Sequence, residues 1–199
     1  GLFTAMVVLW FDYVPETNLW WEMARRDYFT PESAARWGRY LAARYAAFGP
    51  VWVVTGDSDF ETRESMAVYD ATAGAIRQAD PYGCLMTAHL NGEIYTPPAL
   101  NEREWLDFHM FQSSHSEASR DRARTYAAAD RAYQPARPVF NAEPMYDGVY
   151  AAYTGDREPD RAYIRSVYWN SILAGGTAGL TYGAHGIWSW DRAPISPTW

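Results

Sequence analysis

Two carboxylates in this 199-residue chain stand where a pair of acids could do chemistry. Asp57 follows the apolar run Val51 to Val54 through Thr55-Gly56, and Glu143 lies just beyond Phe140-Asn141, next to Pro144. Cleaving a glycosidic bond needs two such groups: one protonates the departing oxygen, and the other attacks the anomeric carbon or activates water. The first must hold a proton near neutral pH, which burial beside aromatic walls or a neighbouring carboxylate can arrange. Taken singly, each acid reads equally as a helix cap or a loop residue. Placed together at the ends of two strands in an aromatic-rich chain, they point to catalysis. The run Gly56-Asp57-Ser58-Asp59-Phe60-Glu61 offers three acids. Asp57 is nearest the strand end and follows a glycine that lets the backbone turn. Asp59 is the second choice, and it could instead cap the helix that runs through Met66.

Around this pair, Gln112, His115 and His185 are candidates to bind sugar hydroxyls, because their side chains both donate and accept hydrogen bonds. His89 falls at a strand end and could serve there or pack, whereas His109 sits inside an apolar strand and reads as a satisfied core residue. Trp10, Tyr13, Tyr146, Tyr182, Trp188 and Trp190 are candidate platforms, since a ring offers a sugar an apolar face and, in Trp and Tyr, a polar edge. Trp37 and Trp52 keep helix or strand phase and read as core. Trp20-Trp21 either line a cleft or pack beneath it. No two histidines have the i, i+4 helical spacing of a zinc site, so neither a metal nor another cofactor is expected. Cys84, without a partner motif, reads as a packing residue.

The elements that must position these groups alternate between short apolar runs and longer amphipathic stretches. Ala5 to Trp10 is continuously apolar, as in a strand buried on both faces. Thr30-Pro31 opens a helix, with Thr as N-cap and Pro in the first turn. Its expected stripe is Ala34, Trp37, Leu41, Tyr45 and Phe48, closed by Gly49-Pro50. A strand at Val51 to Val54, a helix through Met66, Tyr69, Ala73 and Ile76, and a strand from Cys84 to Leu90 follow. Asn101 and Glu104 form a possible capping box for a short helix. Next come a strand at Phe108 to Phe111, a helix from Arg120 to Tyr133 and a strand at Pro138 to Asn141. A helix through Ile164, Val167, Tyr168 and Ile172 and a strand at Ala178 to Tyr182 complete the pattern.

Strand-helix alternation implies parallel strands with right-handed crossovers. An open nucleotide-binding sheet would carry a Gly-rich turn after its first strand, but Trp10-Phe11-Asp12-Tyr13 has no glycine. Polar and aromatic residues stand instead at the C-terminal ends of the strands, as on the catalytic face of a (β/α)8 TIM barrel. A full barrel takes about 250 residues and eight units. The expectation is therefore a fragment with six strands, residues 1–199 being a partial catalytic domain without the first two units and the closing helix. Six strands alone would leave two long sheet edges open.

Composition narrows the function classes. The chain has 17 Lys plus Arg against 24 Asp plus Glu, a formal charge of -7, which makes it a poor candidate for gripping a nucleic-acid phosphate backbone. No apolar run approaches the ~20 residues that span a bilayer, and no protein partner is indicated. One cysteine leaves no internal disulfide. The excess is aromatic: 10 Trp, 15 Tyr and 8 Phe, which fits a carbohydrate ligand. Gly-x-Ser-x-Gly is absent, so an esterase is discounted. A non-catalytic carbohydrate-binding barrel is the alternative to a hydrolase.

Four blocks together resemble the apiosidase-like glycoside hydrolases of family 140 and a related domain of unknown function. They are Val51-Trp52-Val53-Val54-Thr55-Gly56-Asp57, Asp107 to His115, Arg137 to Tyr146, and Thr181 to Trp188, and they occur in the family's order. The resemblance implies a (β/α)8 barrel of the large retaining clan, with the acid/base after the fourth strand and the nucleophile after the seventh. If the first strand here is the family's third, Asp57 matches the acid/base and Glu143 the nucleophile. The family's run before the acid is closer to Gly-Gly-Asp, and the Thr55-Gly56-Asp57 found here keeps Asp59 open as the alternative acid. The resemblance further implies a plant cell-wall polysaccharide or oligosaccharide substrate and a secreted or periplasmic location.

Overall fold

The computed structural model describes residues 2–17, 28–60, 62–149 and 159–184. The chain folds as two compact units, one made of Gly1–Asn91 with Thr96–His109, the other of Gly92–Tyr95 with Met110–Trp199. The architecture is α/β with parallel strands, and the six strands among the described residues fall where the apolar runs predict them. No described helix is long and apolar enough to cross a membrane.

The first unit runs β1 (Ala5–Trp10), a 3-10 turn (Phe11–Tyr13), α1 (Pro31–Tyr45), β2 (Val51–Gly56), α2 (Arg63–Ala79), β3 (Met86–Thr87) and α3 (Pro98–Asn101). Its sheet has the order β1-β2-β3, with β2 parallel to both neighbours. The register pairs Trp10 with Gly56, so the last residues of β1 and β2 lie side by side. Thr30 caps α1: its Oγ1 accepts from the Ser33 amide while the Ser33 hydroxyl accepts from the Thr30 amide at 2.9 Å, which satisfies two orphan amides of the helix start.

The buried face of α1 differs from the expected aromatic stripe. Ala34, Gly38, Leu41 and Ala42 are buried, whereas Phe48 is exposed and Trp37 is 37% exposed, its indole N–H donating to the Val8 carbonyl at 3.0 Å. The reason is close helix packing. A Cβ on Gly38 would lie 2.8 Å from the Thr72 carbonyl oxygen of α2, so this seam admits only small residues. Trp52 is core as expected, with its indole N–H donating to Asp80.

Three other expectations are corrected. The first half of β1 is not covered on both faces: Val7 is 46% exposed, and among the described residues β1 stands at the end of its sheet order beside β2. The strand expected from Cys84 to Leu90 is regular only over Met86–Thr87. Pairing nevertheless continues, through the His89 amide to the Thr55 carbonyl at 2.9 Å and a parallel bridge between Ser58 and Leu90. Asn101 ends α3 instead of opening a helix, because Pro97-Pro98 starts the turn earlier.

At the N-terminal end of β3, Arg77 donates to the carbonyls of Cys84 and Trp105 and to the Asp107 carboxylate. Asp107 in turn accepts from the Met86 amide at 2.6 Å. The opposite, C-terminal ends of the strands are thus left for other work. Cys84 is a partly buried free thiol against the Ala46 carbonyl, in keeping with a packing role.

The second unit holds the sheet β4-β5-β6, with β4 spanning His109–Phe111, β5 Val139–Asn141 and β6 Gly179–Leu180. Its helices are α4 (Ser119–Arg131) and α5 (Arg161–Ala174). Phe111, Ala127 and Val139 form one apolar cluster, and Ala123, Met145, Val149, Ile164 and Val167 form another. The α5 start is capped by Asp160, whose carboxylate accepts from the Tyr163 amide at 2.7 Å. Buried Asn141, the last residue of β5, donates from Nδ2 to the Ser113 and Ser171 hydroxyls at 3.0 and 2.9 Å. A buried amide held in this way fixes the strand end from which the next residues depart.

Candidate active site

In the first unit the site residues gather where β1, β2 and β3 end. Asp57 follows β2 directly and has a left-handed backbone, φ 51°. A non-glycine residue in that region costs free energy and recurs where a side chain must be aimed. Gly56 does not supply the turn, as its sequence position suggested. It makes room instead: a Cβ there would lie 2.2 Å from the Trp10 ring, so that ring covers the Gly56 backbone. Asp57 is 9% exposed, and its Oδ1 meets His89 Nε2 at 3.2 Å.

The helix-cap readings do not apply to these acids. The N-cap of α2 is Thr62, whose Oγ1 accepts from the Ser65 amide at 3.1 Å. Asp59 is half-buried; burial pushes the Tyr69 hydroxyl up to about 12, and the charge of Asp59 adds a smaller rise. Asp57 is thus the acid held against a histidine. Glu61 lies outside the described residues.

In the second unit Glu143 lies just beyond β5, and its side chain is 18% exposed. Its Oε1 receives two donors, His115 Nε2 at 2.9 Å and the Tyr146 hydroxyl at 2.7 Å. The two rings lie against each other, their centroids 4.0 Å apart. Two donors on one oxygen fix the orientation of a carboxylate more firmly than one. The backbone supports this arrangement, since the Glu143 carbonyl accepts from the Ser114 amide at 3.1 Å, and Ser114 is left-handed at φ 63°. The Tyr146 ring covers Gly183, where a Cβ would come within 2.2 Å of it. This repeats the use of Gly56 beneath Trp10.

Gln112 is buried beside Gly92, next to a short antiparallel bridge between Ile94 and Gln112 itself. Tyr182 is exposed and gives its hydroxyl to Asp147 at 2.8 Å, which raises its pKa, with a lesser rise from burial. Tyr13 stacks on Tyr28, with centroids 5.8 Å apart. His109 is fully buried, as expected of a core histidine, and its Nδ1 lies 3.1 Å from the Thr96 hydroxyl. His185, Trp188, Trp190 and Trp20-Trp21 lie outside the described residues.

A model of the family described as Apiosidase-like, catalytic domain matches residues 1–199. The chain belongs to this family. Among solved structures, the apiosidase-like chain is similar to a glycoside hydrolase family 5 protein from Bacteroides vulgatus ATCC 8482, with 27% identity and a TM-score of 0.81 over 98% of its length. It is also similar to a protein titled glycoside hydrolase, at 25% identity and a TM-score of 0.79 over 98% of its length. A third likeness, to a protein from Bacteroides vulgatus ATCC 8482 titled a putative glycoside hydrolase, has 18% identity and a TM-score of 0.67 over 99% of the chain, and speaks for the fold alone. The chain spans 42%, 45% and 35% of the lengths of these three structures. A search of curated proteins finds no match.

The sequence reading of this apiosidase-like domain passed over Asp12. It lies in the 3-10 turn after β1, 3% exposed. Burial holds its carboxyl above the ordinary range, and the nearby charge of Asp57 adds to that rise. Its position just past a strand end, shared with Asp57 and Glu143, is the signal that could have found it.

Proposed function

We propose that this chain forms part of a (β/α)8-barrel glycoside hydrolase that cleaves O-glycosidic bonds with retention, using Glu143 as nucleophile and Asp57 as acid/base. In the first step a Glu143 carboxylate oxygen bonds to the anomeric carbon as the bond to the leaving oxygen breaks. The Asp57 proton goes to that oxygen. In the second step water attacks the anomeric carbon, its proton passes to Asp57, and the ester to Glu143 breaks. Retention requires the two carboxyl groups to be about 5–5.5 Å apart, against about 6.5–9.5 Å for inversion.

The observation that carries this reading is the fixing of Glu143. A carboxylate whose Oε1 is held by His115 and Tyr146 is oriented for attack, as a loop acid without such partners is not. Asp57 has the complementary character, buried and in contact with an imidazole. Trp10 and Tyr146 present rings beside the two acids, suited to the apolar faces of sugars. A plant cell-wall polysaccharide or oligosaccharide is the proposed substrate class, which places the enzyme outside the cytoplasm.

Glu143→Gln in the intact protein tests the assignment. Hydrolysis of pectin fragments should fall at least about a thousandfold with ligand binding retained, and wild-type turnover should release product of unchanged anomeric configuration by NMR. Turnover that survives the substitution would refute the nucleophile. Inverted product would refute the double displacement. Binding without any wild-type hydrolysis would favour a carbohydrate-binding barrel.

A further inference from the structure

His89, a candidate sugar-binding residue by its place at a strand end, turns its Nε2 to a protein group instead. Regular pairing of β3 stops at Thr87, yet the chain beyond it stays bound to the segment that carries Asp57. The His89 amide donates to the Thr55 carbonyl at 2.9 Å, and the His89 carbonyl accepts from the Ser58 amide at 3.5 Å. The Asn91 amide then donates to the Ser58 carbonyl at 3.0 Å, and Ser58 and Leu90 form a parallel bridge. Thr55 and Ser58 flank Asp57, so the backbone of His89 is tied on both sides of that residue. Its imidazole reaches the carboxyl from this fixed base, with Nε2 3.2 Å from Asp57 Oδ1 and both side chains largely buried. That oxygen is shut off from water and accepts no hydrogen bond from the described residues. A buried carboxyl oxygen needs a polar partner, and hydrogen bonds of catalytic groups are often long or poorly aligned until substrate fills the site.

We propose that His89 is a positioning residue for Asp57: its Nε2–H donates to Oδ1 and so keeps the acidic proton on Oδ2, the oxygen that serves the leaving group. This rests on the reading of Asp57 as the acid/base. A carboxyl free to turn presents either oxygen, and only some orientations put the proton in line with the departing oxygen. The imidazole removes that freedom. His89 keeps its own proton throughout. In the first step the proton on Oδ2 passes to the leaving oxygen as the glycosidic bond breaks, and Asp57 becomes a carboxylate. In the second step water gives a proton back to Oδ2 as its oxygen bonds to the anomeric carbon. Between the steps the same N–H stabilises the carboxylate, since a hydrogen bond strengthens once its acceptor is charged. His89 touches no substrate in this scheme, and an Nε2–H given to Asp57 is not offered to a sugar hydroxyl.

The test compares kcat/KM of the intact protein on two substrates that differ in leaving group. One is pectin fragments; the other is the dinitrophenyl glycoside of the sugar that the wild-type enzyme releases from them. A sugar oxygen needs a proton to depart, whereas dinitrophenolate departs without one, and kcat/KM reports the step in which the leaving group goes. His89→Leu should lose about ten- to a hundredfold on pectin fragments and less than about threefold on the dinitrophenyl glycoside. An equal loss on both would show a merely structural role and overturn the proposal. His89→Gln, whose amide N–H can stand near the place of Nε2–H, should restore the greater part of the loss. A loss as deep as that of His89→Leu would overturn the donation from Nε2. Nitrogen NMR of the native protein needs no variant and so survives a folding failure. The His89 Nε2 should carry a proton at the pH of greatest activity, and a bare Nε2 would refute the inference. Asp57→Ala separates the two claims, because the same split between substrates is expected of it, and a deeper one. An equal loss on both substrates, or none, in Asp57→Ala refutes Asp57 as acid/base, while the NMR still judges the contact. A split in Asp57→Ala beside equal losses in His89→Leu refutes the role of His89 alone.

Discussion

Each candidate acid is served by a glycine whose value is its missing side chain. Trp10 covers Gly56 next to Asp57, and Tyr146 covers Gly183 while its hydroxyl reaches Glu143. Gly183→Ala would drive a Cβ to within 2.2 Å of the Tyr146 ring, so the ring must leave and its bond to Glu143 must break. A hydrogen bond to a charged group is worth about 1.5–3 kcal/mol. The variant should therefore lose roughly ten- to a hundredfold in kcat/KM, and Tyr146→Phe should show a loss of similar size. Steady-state kinetics on both variants check this, and an unaffected Gly183→Ala would mean that Tyr146 does not hold Glu143 for catalysis. Neither glycine could be recognised in advance, because the ring that covers it comes from a distant part of the chain.

At the scale of elements, local signals were read well and lateral contacts poorly. Thr30-Pro31 stops and starts backbone by its own chemistry, so the cap of α1 was visible from a few neighbouring residues. The face that α1 buries was not, because the partner helix α2 selects small residues over large ones at Gly38. Gly38→Val tests that seam. Its first side-chain atom would sit 2.8 Å from the Thr72 carbonyl oxygen, which belongs to backbone and cannot rotate away. Overpacking of this kind costs about 1–3 kcal/mol, which for a chain of this size lowers Tm by roughly 2–4 °C per kcal/mol. Thermal unfolding followed by circular dichroism should show the drop, and an unchanged Tm would mean that the two helices separate freely.

For the molecule as a whole, the buried carboxyl of Asp12 ties stability to pH. Its pKa is raised in the folded state by burial first and then by Asp57, from an ordinary value of 3.8. Below that ordinary value the group is protonated whether folded or unfolded, and it imposes no penalty. As pH rises through the folded value, the unfolded chain releases this proton more readily, and stability is lost. Asp12→Asn removes the ionisation, so its Tm relative to wild type should improve as pH rises above the ordinary carboxyl value of 3.8. A constant difference across that range would show that Asp12 ionises equally in both states.

What the sequence alone determined was everything governed by neighbours along the chain: the alternation of six strands with helices, the cap at Thr30, and the placement of Asp57 and Glu143 just past strand ends. These follow from periodicity and backbone chemistry, which act over a few residues. Tertiary structure alone decided which groups face each acid. His89 meets Asp57 and His115 meets Glu143 because parallel strands bring their C-terminal ends side by side. Asp12 becomes part of this arrangement only because Trp10 pairs with Gly56 and burial strips its carboxyl of water. Proximity of that kind is set by pairing register and packing, and neither is a property of any local stretch of residues.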